Sequence, residues 1–157
     1  ILIDIALKRK DWSIILIGKV GEGDPYTDIS NLKKIKNIHF LGSKEYDEVP
    51  YYMEMFDIGL LPCEINNYTK SMFPLKFFEY LSVGLPIVAT KLESLDDFSE
   101  VHYRGDNSND FIEMIETILE KNDSIQKENR IKLAEKNTYD NRTEMMLNII
   151  ENNRYSN

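Results

Sequence analysis

The stretch K-S-M-F-P-L-K-F-F-E-Y-L-S-V-G-L-P-I-V-A-T, residues 70–90, decides the fold of this 157-residue chain. Its apolar residues recur at helical spacing over residues 75–83, and Pro74 suits a first helical position because its missing N–H would be unpaired there anyway. Gly84 can end that helix in the left-handed conformation without steric cost. Residues 87–90 then have the continuous apolar character of a strand buried on both faces. The stretch therefore predicts a helix followed by a central parallel strand.

Shorter apolar runs with turn residues between them predict the remaining strands, at residues 13–18, 37–42 and 57–62, with a weak edge strand at 101–103. Helical spacing predicts helices between them. These cover residues 1–10, a short helix or turn at 31–36, a helix opened near Pro50, a helix capped by Asn107 or Ser108, and two more at 124–136 and 139–152. Strands that alternate with helices predict an α/β fold with a doubly wound parallel sheet, similar to a Rossmann fold, in a single domain over residues 1–157.

The same spacing predicts which side chains of the helices face the core. The inner faces are expected to carry Ile1, Leu2, Ile5 and Ala6 in the first helix; Leu75, Phe78 and Leu81 or Ser82, with Phe77 alongside, in the helix of the central stretch; Phe111, Met114, Ile115, Ile118 and Leu119 in the helix after Asn107; and Met146, Ile149 and Ile150 in the last helix.

Composition excludes several classes of function. The 19 Lys and Arg residues against 27 Asp and Glu residues give a net charge of −8, which disfavours a nucleic-acid partner because phosphate-tracking surfaces need clustered cations. Cys63 is the single cysteine, so the chain has no internal disulfide and no cysteine-based zinc site. With two histidines, a histidine-rich metal site is improbable too. The single cysteine fits a reducing, cytoplasmic setting.

Lys76 and Glu79 are charged residues in an otherwise apolar helix, three positions apart and therefore on one face. Two interpretations are open. The pair can be an ordinary solvated ion pair, or it can hold a ligand that carries both phosphate and hydroxyl groups. Ligands of doubly wound sheets bind beyond the carboxyl ends of the strands, where Gly18 and Gly42 are also predicted to lie. The segment 18–25 lacks the G-x-G-x-x-G spacing, so it is either a plain connection or a loop near a phosphate.

Residues 74–90 resemble the donor-binding motif in the C-terminal domain of GT-B glycosyltransferases, especially the bacterial family 4-like enzymes. That motif runs from a Phe-Gly-Leu or Pro-Leu-Lys segment through a Glu-Tyr or Glu-Ala helix to Gly-x-Pro-x-Val-Ala. The resemblance implies that the chain is the donor-binding half of a glycosyltransferase. Such an enzyme transfers a sugar from a nucleotide diphosphate sugar, here a UDP-sugar or a GDP-sugar, to an acceptor. Cell-surface polysaccharide synthesis is the expected setting. The first strand and the N-terminal acceptor domain are expected to be missing, which would leave the fragment inactive.

The resemblance also implies a site for the sugar donor. Lys76 would stabilise the negative charge of the leaving diphosphate, and Glu79 would accept hydrogen bonds from the 2′- and 3′-hydroxyls of the ribose. The strand ends and the motif loop would place further groups near the base and the phosphates: Gly18, Gly42, Ser43, Phe73, Pro74 and Leu75. No residue is assigned a catalytic role. The charge of Lys76 removes the need for a metal, and no tightly bound cofactor is expected.

Two residues depart from the family pattern. Ser71 stands where many members carry the first of two glutamates, and Pro74 replaces a glycine, which removes one N–H that could face a phosphate. The partner implied besides the sugar donor is a glycan or lipid-linked acceptor, bound through the missing domain. The resemblance is also compatible with peripheral association of the full-length protein with the inner face of the membrane.

Three other readings compete with this one. A response-regulator receiver has a similar sheet, but it needs an aspartate where Pro62 stands. A nucleotide-sugar epimerase shares the GT-B architecture and would turn over the sugar nucleotide without an acceptor. A non-catalytic interaction domain of doubly wound fold would bind no nucleotide.

Overall fold

The computed structural model describes residues 1–21, 26–121 and 124–154. Helices and strands alternate over most of that length. In chain order they are α1 (Leu2–Lys8), β1 (Ile14–Ile17), α2 (Ser30–Lys33), β2 (Ile38–Gly42), α3 (Val49–Glu54), β3 (Gly59–Leu61), α4 (Lys76–Ser82), β4 (Ile87–Ala89), β5 (Tyr103–Arg104), α5 (Ser108–Glu120), α6 (Ser124–Lys136) and α7 (Tyr139–Arg154). Two 3-10 helices, Thr69–Ser71 and Glu93–Phe98, precede α4 and follow β4.

Every strand pair is parallel, as the alternation of strands and helices predicts. β1 pairs with β2 so that Ile14 lies opposite Ile38, and β4 lies between β3 and β5. Within the described residues, the strands form one sheet of two strands and one of three, which are not joined by a β1–β3 ladder. The predicted edge strand at 101–103 is found one to two residues later, as β5.

Both faces of the three-stranded sheet are covered, which confirms the doubly wound architecture. Side chains alternate along β4, and all three are fully buried. Val88 packs in a core with Phe111 of α5, together with Ile5 of α1 and Ile14 of β1. Ile87 and Ala89 belong to the opposite core. That second core also contains Phe77 and Leu81 of α4 and Ala134 of α6.

The helix of the central stretch begins later than the sequence predicts. α4 starts at Lys76, so Pro74 lies before the helix rather than at its first position, although its carbonyl already accepts a bond of 2.9 Å from the Phe77 N–H. Leu75 was predicted to face inward and is 64% exposed. Phe77 and Leu81 form the buried face of α4 instead. They are about one helical turn apart, and both pack on β4.

The end of the same helix follows the prediction closely. Gly84 comes directly after the C-cap residue Val83 and has a φ of +73°, the left-handed conformation that glycine adopts without strain. Its carbonyl accepts a hydrogen bond of 2.9 Å from Nε of Arg130, a buried residue of α6. The turn therefore ends α4 and also joins it to α6.

The predicted inner face is wrong at one residue of α5 and at all three predicted residues of α7. Leu119, at the end of α5, is 51% exposed, and in α7 the residues Met146, Ile149 and Ile150 are 57%, 59% and 54% exposed. The α5 pattern is otherwise confirmed, since Phe111, Ile115 and Ile118 are buried. Apolar spacing defines a stripe on a helix, but burial also needs a surface opposite that stripe. The described part of the chain does not provide one for these residues of α7.

Candidate functional site

The loop between β3 and α4 is held by its own side chains. The Thr69 hydroxyl is buried and donates to the Glu64 carbonyl oxygen at 2.6 Å. Oδ1 of Asn66 accepts from the backbone N–H groups of Tyr68 and Thr69, at 2.9 and 3.0 Å. The sequence analysis assigns no role to the residues of this loop. The sequence signal for this turn is the Asn-x-x-Thr spacing of Asn66 and Thr69, which is typical of a turn closed by an asparagine side chain.

Aromatic rings fix the approach of this loop to α4. Phe73 stacks on Phe78 with 5.2 Å between ring centroids, and Phe77 meets the imidazole of His102 edge-on at 5.4 Å. Phe98 contacts all three phenylalanine rings. The Arg142 guanidinium of α7 lies 4.8 Å from the centroid of the Phe78 ring. Phe73, a predicted site residue, therefore supports the loop and the helix rather than standing free in solvent.

Lys76 and Glu79 meet each other at the start of α4, as the sequence predicts. Nζ of Lys76 lies 2.6 Å from Oε2 of Glu79, and the two side chains are 59% and 32% exposed. An exposed pair of this kind contributes at most about 1 kcal/mol, so a ligand could separate it at little cost. Of their neighbours in the predicted site, Leu75 is exposed and Pro74 is buried.

Gly18 and Gly42 are brought together at the carboxyl ends of β1 and β2. The Gly18 N–H donates to the Gly42 carbonyl oxygen at 3.0 Å. Both glycines have positive φ angles, +134° and +68°, and no heavy atom lies within 4 Å of the position that a Cβ would occupy on either. Ser43 follows on the exposed side. Residues 22–25 of the predicted glycine-rich turn lie outside the described residues.

The eight predicted site residues thus fall into two groups, each at or after the carboxyl ends of strands in its own sheet. One group is Gly18, Gly42 and Ser43. The other surrounds the start of α4 and consists of Phe73, Pro74, Leu75, Lys76 and Glu79.

A separate cleft of about 540 Å³ runs between β1 and the segment that leads into β3. None of the eight predicted residues lines it. Its two sides are formed by residues 13–17 and 55–60. The rest of the lining comes from α1, α4, α5 and the ends of the two segments: Leu2, Ile5, Asp11, Trp12, Pro62, Tyr80, Ile115 and Leu119.

Ionisable groups near these features are shifted mainly by burial. Burial, and secondarily the nearby Glu79 charge, raises the pKa of Tyr80, and burial raises the pKa of Cys63. Burial lowers the pKa of His102, whose Nδ1 donates to the Phe98 carbonyl oxygen at 2.8 Å. Its Nε2 is buried without a hydrogen-bond partner. Each shift favours the neutral form, because burial disfavours a charge on all three side chains.

In residues 1–21, 26–121 and 124–154, no three His, Cys, Asp or Glu side chains are grouped so that they could hold a metal ion. Over the same ranges, no helix combines the length and the apolar character that crossing a bilayer requires.

Comparison with known proteins identifies the protein family to which this chain belongs. The profile of the family "Glycosyl transferases group 1" matches residues 2–121, and the chain belongs to this family. The resemblance stated from the central motif is thereby confirmed.

Particular relatives are consistent with that assignment. TuaH of Bacillus subtilis (strain 168), which carries the name of a proposed teichuronic acid biosynthesis glycosyltransferase, is 34% identical over 137 residues, covering 83% of this chain and 34% of TuaH. Two crystal structures of Anabaena Alr3699/HepE, one with UDP and one with UDP and glucose, superpose with TM-scores of 0.59 and 0.62 at 22% identity. They cover 85% of this chain and 39% and 38% of HepE, and they confirm the fold. The chain spans between a third and two fifths of the length of these proteins.

Proposed function

We propose that this chain is the sugar-donor-binding part of a glycosyltransferase that transfers a sugar from a nucleotide diphosphate sugar to an acceptor in cell-surface polysaccharide synthesis. Membership of the group 1 family supports the reaction class. The name of TuaH supports a cell-surface polymer, and UDP in the HepE crystals supports a uridine diphosphate donor. A glycan or lipid-linked acceptor would be bound by a further domain.

The exposed pair of Lys76 and Glu79 carries the proposal for the site itself. The pair lies at the start of α4, beside the carboxyl ends of β3 and β4, where parallel sheets bind ligands. When the donor binds, the Lys76 ammonium turns from Glu79 to the diphosphate. Glu79 is then free to accept hydrogen bonds from the two ribose hydroxyls.

This exchange of partners suits the chemistry of sugar transfer. As the bond between the sugar and the diphosphate breaks, negative charge grows on the leaving phosphate oxygen. A cation already held beside that oxygen stabilises the charge more in the transition state than in the bound substrate, which lowers the barrier. Gly18 and Gly42 would contribute backbone groups from the other sheet, where the absence of a side chain lets a ligand approach closely.

Nucleotide binding tests the proposal. Thermal unfolding is followed with UDP, GDP, ADP and CMP in turn, for the parent chain and for Lys76→Ala and Glu79→Gln. A ligand at about 100 times its dissociation constant adds about 2.7 kcal/mol of stability, enough to raise Tm by several degrees. We expect one nucleoside diphosphate, UDP, to raise Tm. Each substitution should weaken binding by about 1.5–3 kcal/mol, the usual loss of a charged hydrogen bond.

Glu128 and Lys132 provide the matched control, because they form another exposed ion pair, 3.6 Å apart on α6. Glu128→Gln and Lys132→Ala should leave the nucleotide shift intact. If Glu79→Gln and Lys76→Ala bind UDP as the parent does, the assignment of the site is wrong. If no nucleotide raises Tm of the natural full-length protein, the donor-binding function itself is wrong.

A further inference from the structure

The first turn of α4 carries Lys76 and Glu79, and its own residues hold it weakly. Leu75 occupies the N-cap position, and a leucine side chain has no group that could accept a hydrogen bond from the N–H groups of the first turn. The Glu79 N–H donates to the Leu75 carbonyl oxygen over a long distance, 3.4 Å. The position of this turn therefore depends on the segment that precedes it and on what packs against it.

One hydrogen bond joins the segment before α4 to the loop after β4. The Ser94 hydroxyl, in the 3-10 helix Glu93–Phe98, donates to the Met72 carbonyl oxygen at 2.8 Å. Both residues are partly buried, and they are 22 positions apart in the chain. The bond fixes the end of the β3–α4 loop shortly before α4 begins at Lys76.

The far end of the same 3-10 helix packs on the start of α4. The ring centroid of Phe98 lies 5.9 Å from that of Phe73 and 5.5 Å from those of Phe77 and Phe78. Phe73 belongs to the loop, whereas Phe77 and Phe78 belong to α4. The 3-10 helix therefore contacts both the loop and the helix that carries the charged pair.

The 3-10 helix is itself attached to β5 and to the core. Nη1 of Arg104 donates to Oδ1 of Asp96 at 2.7 Å, and Nδ1 of His102 donates to the Phe98 carbonyl oxygen at 2.8 Å. Leu95 is fully buried in the core that contains Phe77 and Leu81. These attachments make Ser94 a fixed partner for the Met72 carbonyl.

We propose that Ser94 is a positioning residue of the donor site: its hydrogen bond to Met72 sets the first turn of α4, so that the Lys76 ammonium is in place before the diphosphate arrives. This inference rests on the proposed donor-binding role of Lys76. A loop that must become ordered when the ligand binds lowers the affinity, whereas a loop that is already ordered does not. Loss of the Ser94 hydroxyl should therefore weaken nucleotide binding through Lys76.

Titration of the natural gene product with UDP tests the role of the hydroxyl. Ser94→Ala should raise the dissociation constant of UDP about three- to tenfold, the change that corresponds to the loss of one hydrogen bond. Ser94→Thr keeps a hydroxyl at this position and should bind UDP within about twofold of the parent. Circular dichroism establishes that each variant is folded at the temperature of the titration.

Thr117→Val is the matched control. It removes a hydroxyl that also donates to a backbone carbonyl at 2.8 Å, but the acceptor is Glu113 within α5. UDP binding should not change in this variant. A lower Tm of Ser94→Ala together with a parental dissociation constant for UDP would show a merely structural role and overturn the proposal.

A double-mutant cycle with Lys76→Ala tests whether Ser94 acts through Lys76. In the Lys76→Ala background, Ser94→Ala should change the dissociation constant of UDP by less than about twofold. The same factor in both backgrounds would mean that Ser94 acts elsewhere and would overturn the proposal. If Lys76→Ala alone leaves UDP binding unchanged, the proposed donor site is wrong, and the positioning role fails with it. If Lys76→Ala weakens binding and Ser94→Ala does not, only the positioning role is wrong.

Discussion

Strands β1 and β4 look alike in sequence and differ in the structure. Both are short apolar runs, I-I-L-I and I-V-A, and both were predicted as strands of the parallel sheet. All three residues of β4 are fully buried, whereas in β1 only Ile14 is buried and the next three are partly exposed. β4 has a strand on each edge and a helix on each face, while β1 has a strand on one edge and the cleft on the other. An apolar run identifies a strand, but its neighbours determine how deeply it is buried.

The largest expected difference between the two sheets is the loss of stability when an isoleucine in a strand of each is replaced by alanine. Ile87→Ala in β4 should destabilise the chain by about 2–5 kcal/mol, because it removes a fully buried side chain and leaves a cavity. Ile15→Ala in β1 should cost about 1 kcal/mol, because part of that side chain is already in water. Urea unfolding followed by circular dichroism measures both losses. Equal losses would mean that β1 is buried as deeply as β4.

Two glycines next to strands allow a second comparison, of the stability lost when each is replaced by alanine. Gly84, before β4, and Gly42, at the end of β2, have similar φ angles of +73° and +68°, so alanine at either position should cost about 1–2 kcal/mol through the backbone. A Cβ on Gly84 would also lie 2.5 Å from Cγ of Lys127, whereas on Gly42 it would meet nothing within 4 Å. Gly84→Ala should therefore lose about 1 kcal/mol more than Gly42→Ala in urea unfolding. The same loss for both would show that Lys127 moves aside freely.

The smallest effect concerns the two histidines. His102 is buried beside β5, and burial lowers its pKa below the ordinary value of 6.5, whereas His39 is exposed on β2. The unfolded chain binds a proton at His102 more readily than the folded chain. The contribution of neutral His102 to the free energy of unfolding is therefore fully present above about pH 6.5. It is lost as the pH falls through the pKa of His102 in the folded chain. His102→Gln should flatten the dependence of the unfolding free energy on pH between about pH 7.5 and pH 5.

His39→Gln is the control for that measurement. Its curve should keep the slope of the parent, because His39 lies on the exposed side of β2. A parental slope in His102→Gln would show that protonation of other groups, such as the carboxylates, accounts for the whole acid sensitivity.

Much of the fold could be predicted because its signals are local. The Gly84 stop, the Asn107 cap and the apolar run of β4 each depend on a few neighbouring residues. The contact between Lys76 and Glu79 was predictable for the same reason, since residues three apart on a helix lie side by side. The juxtaposition of Gly18 and Gly42 follows from parallel pairing once β1 and β2 are recognised.

Predictions failed where burial depended on what lies opposite. Leu75 and Phe77 were both available as core residues of one helix, and packing on β4 selected Phe77. The apolar residues of α7 have the right spacing, yet they remain more than half exposed. The sequence contains the stripe of a helix, but it does not say whether another surface will cover that stripe.

The sequence by itself determined the alternation of strands and helices, the family of the central motif and the charged pair at the start of α4, because periodicity, turn chemistry and helix spacing act over a few residues. Only the tertiary structure decided that the aromatic rings of Phe73, Phe77 and Phe98 form one cluster, that the imidazole of His102 is buried against it, and that a cleft separates β1 from β3. Those features join residues far apart in the chain. They depend on how closely whole elements approach, which no local pattern specifies.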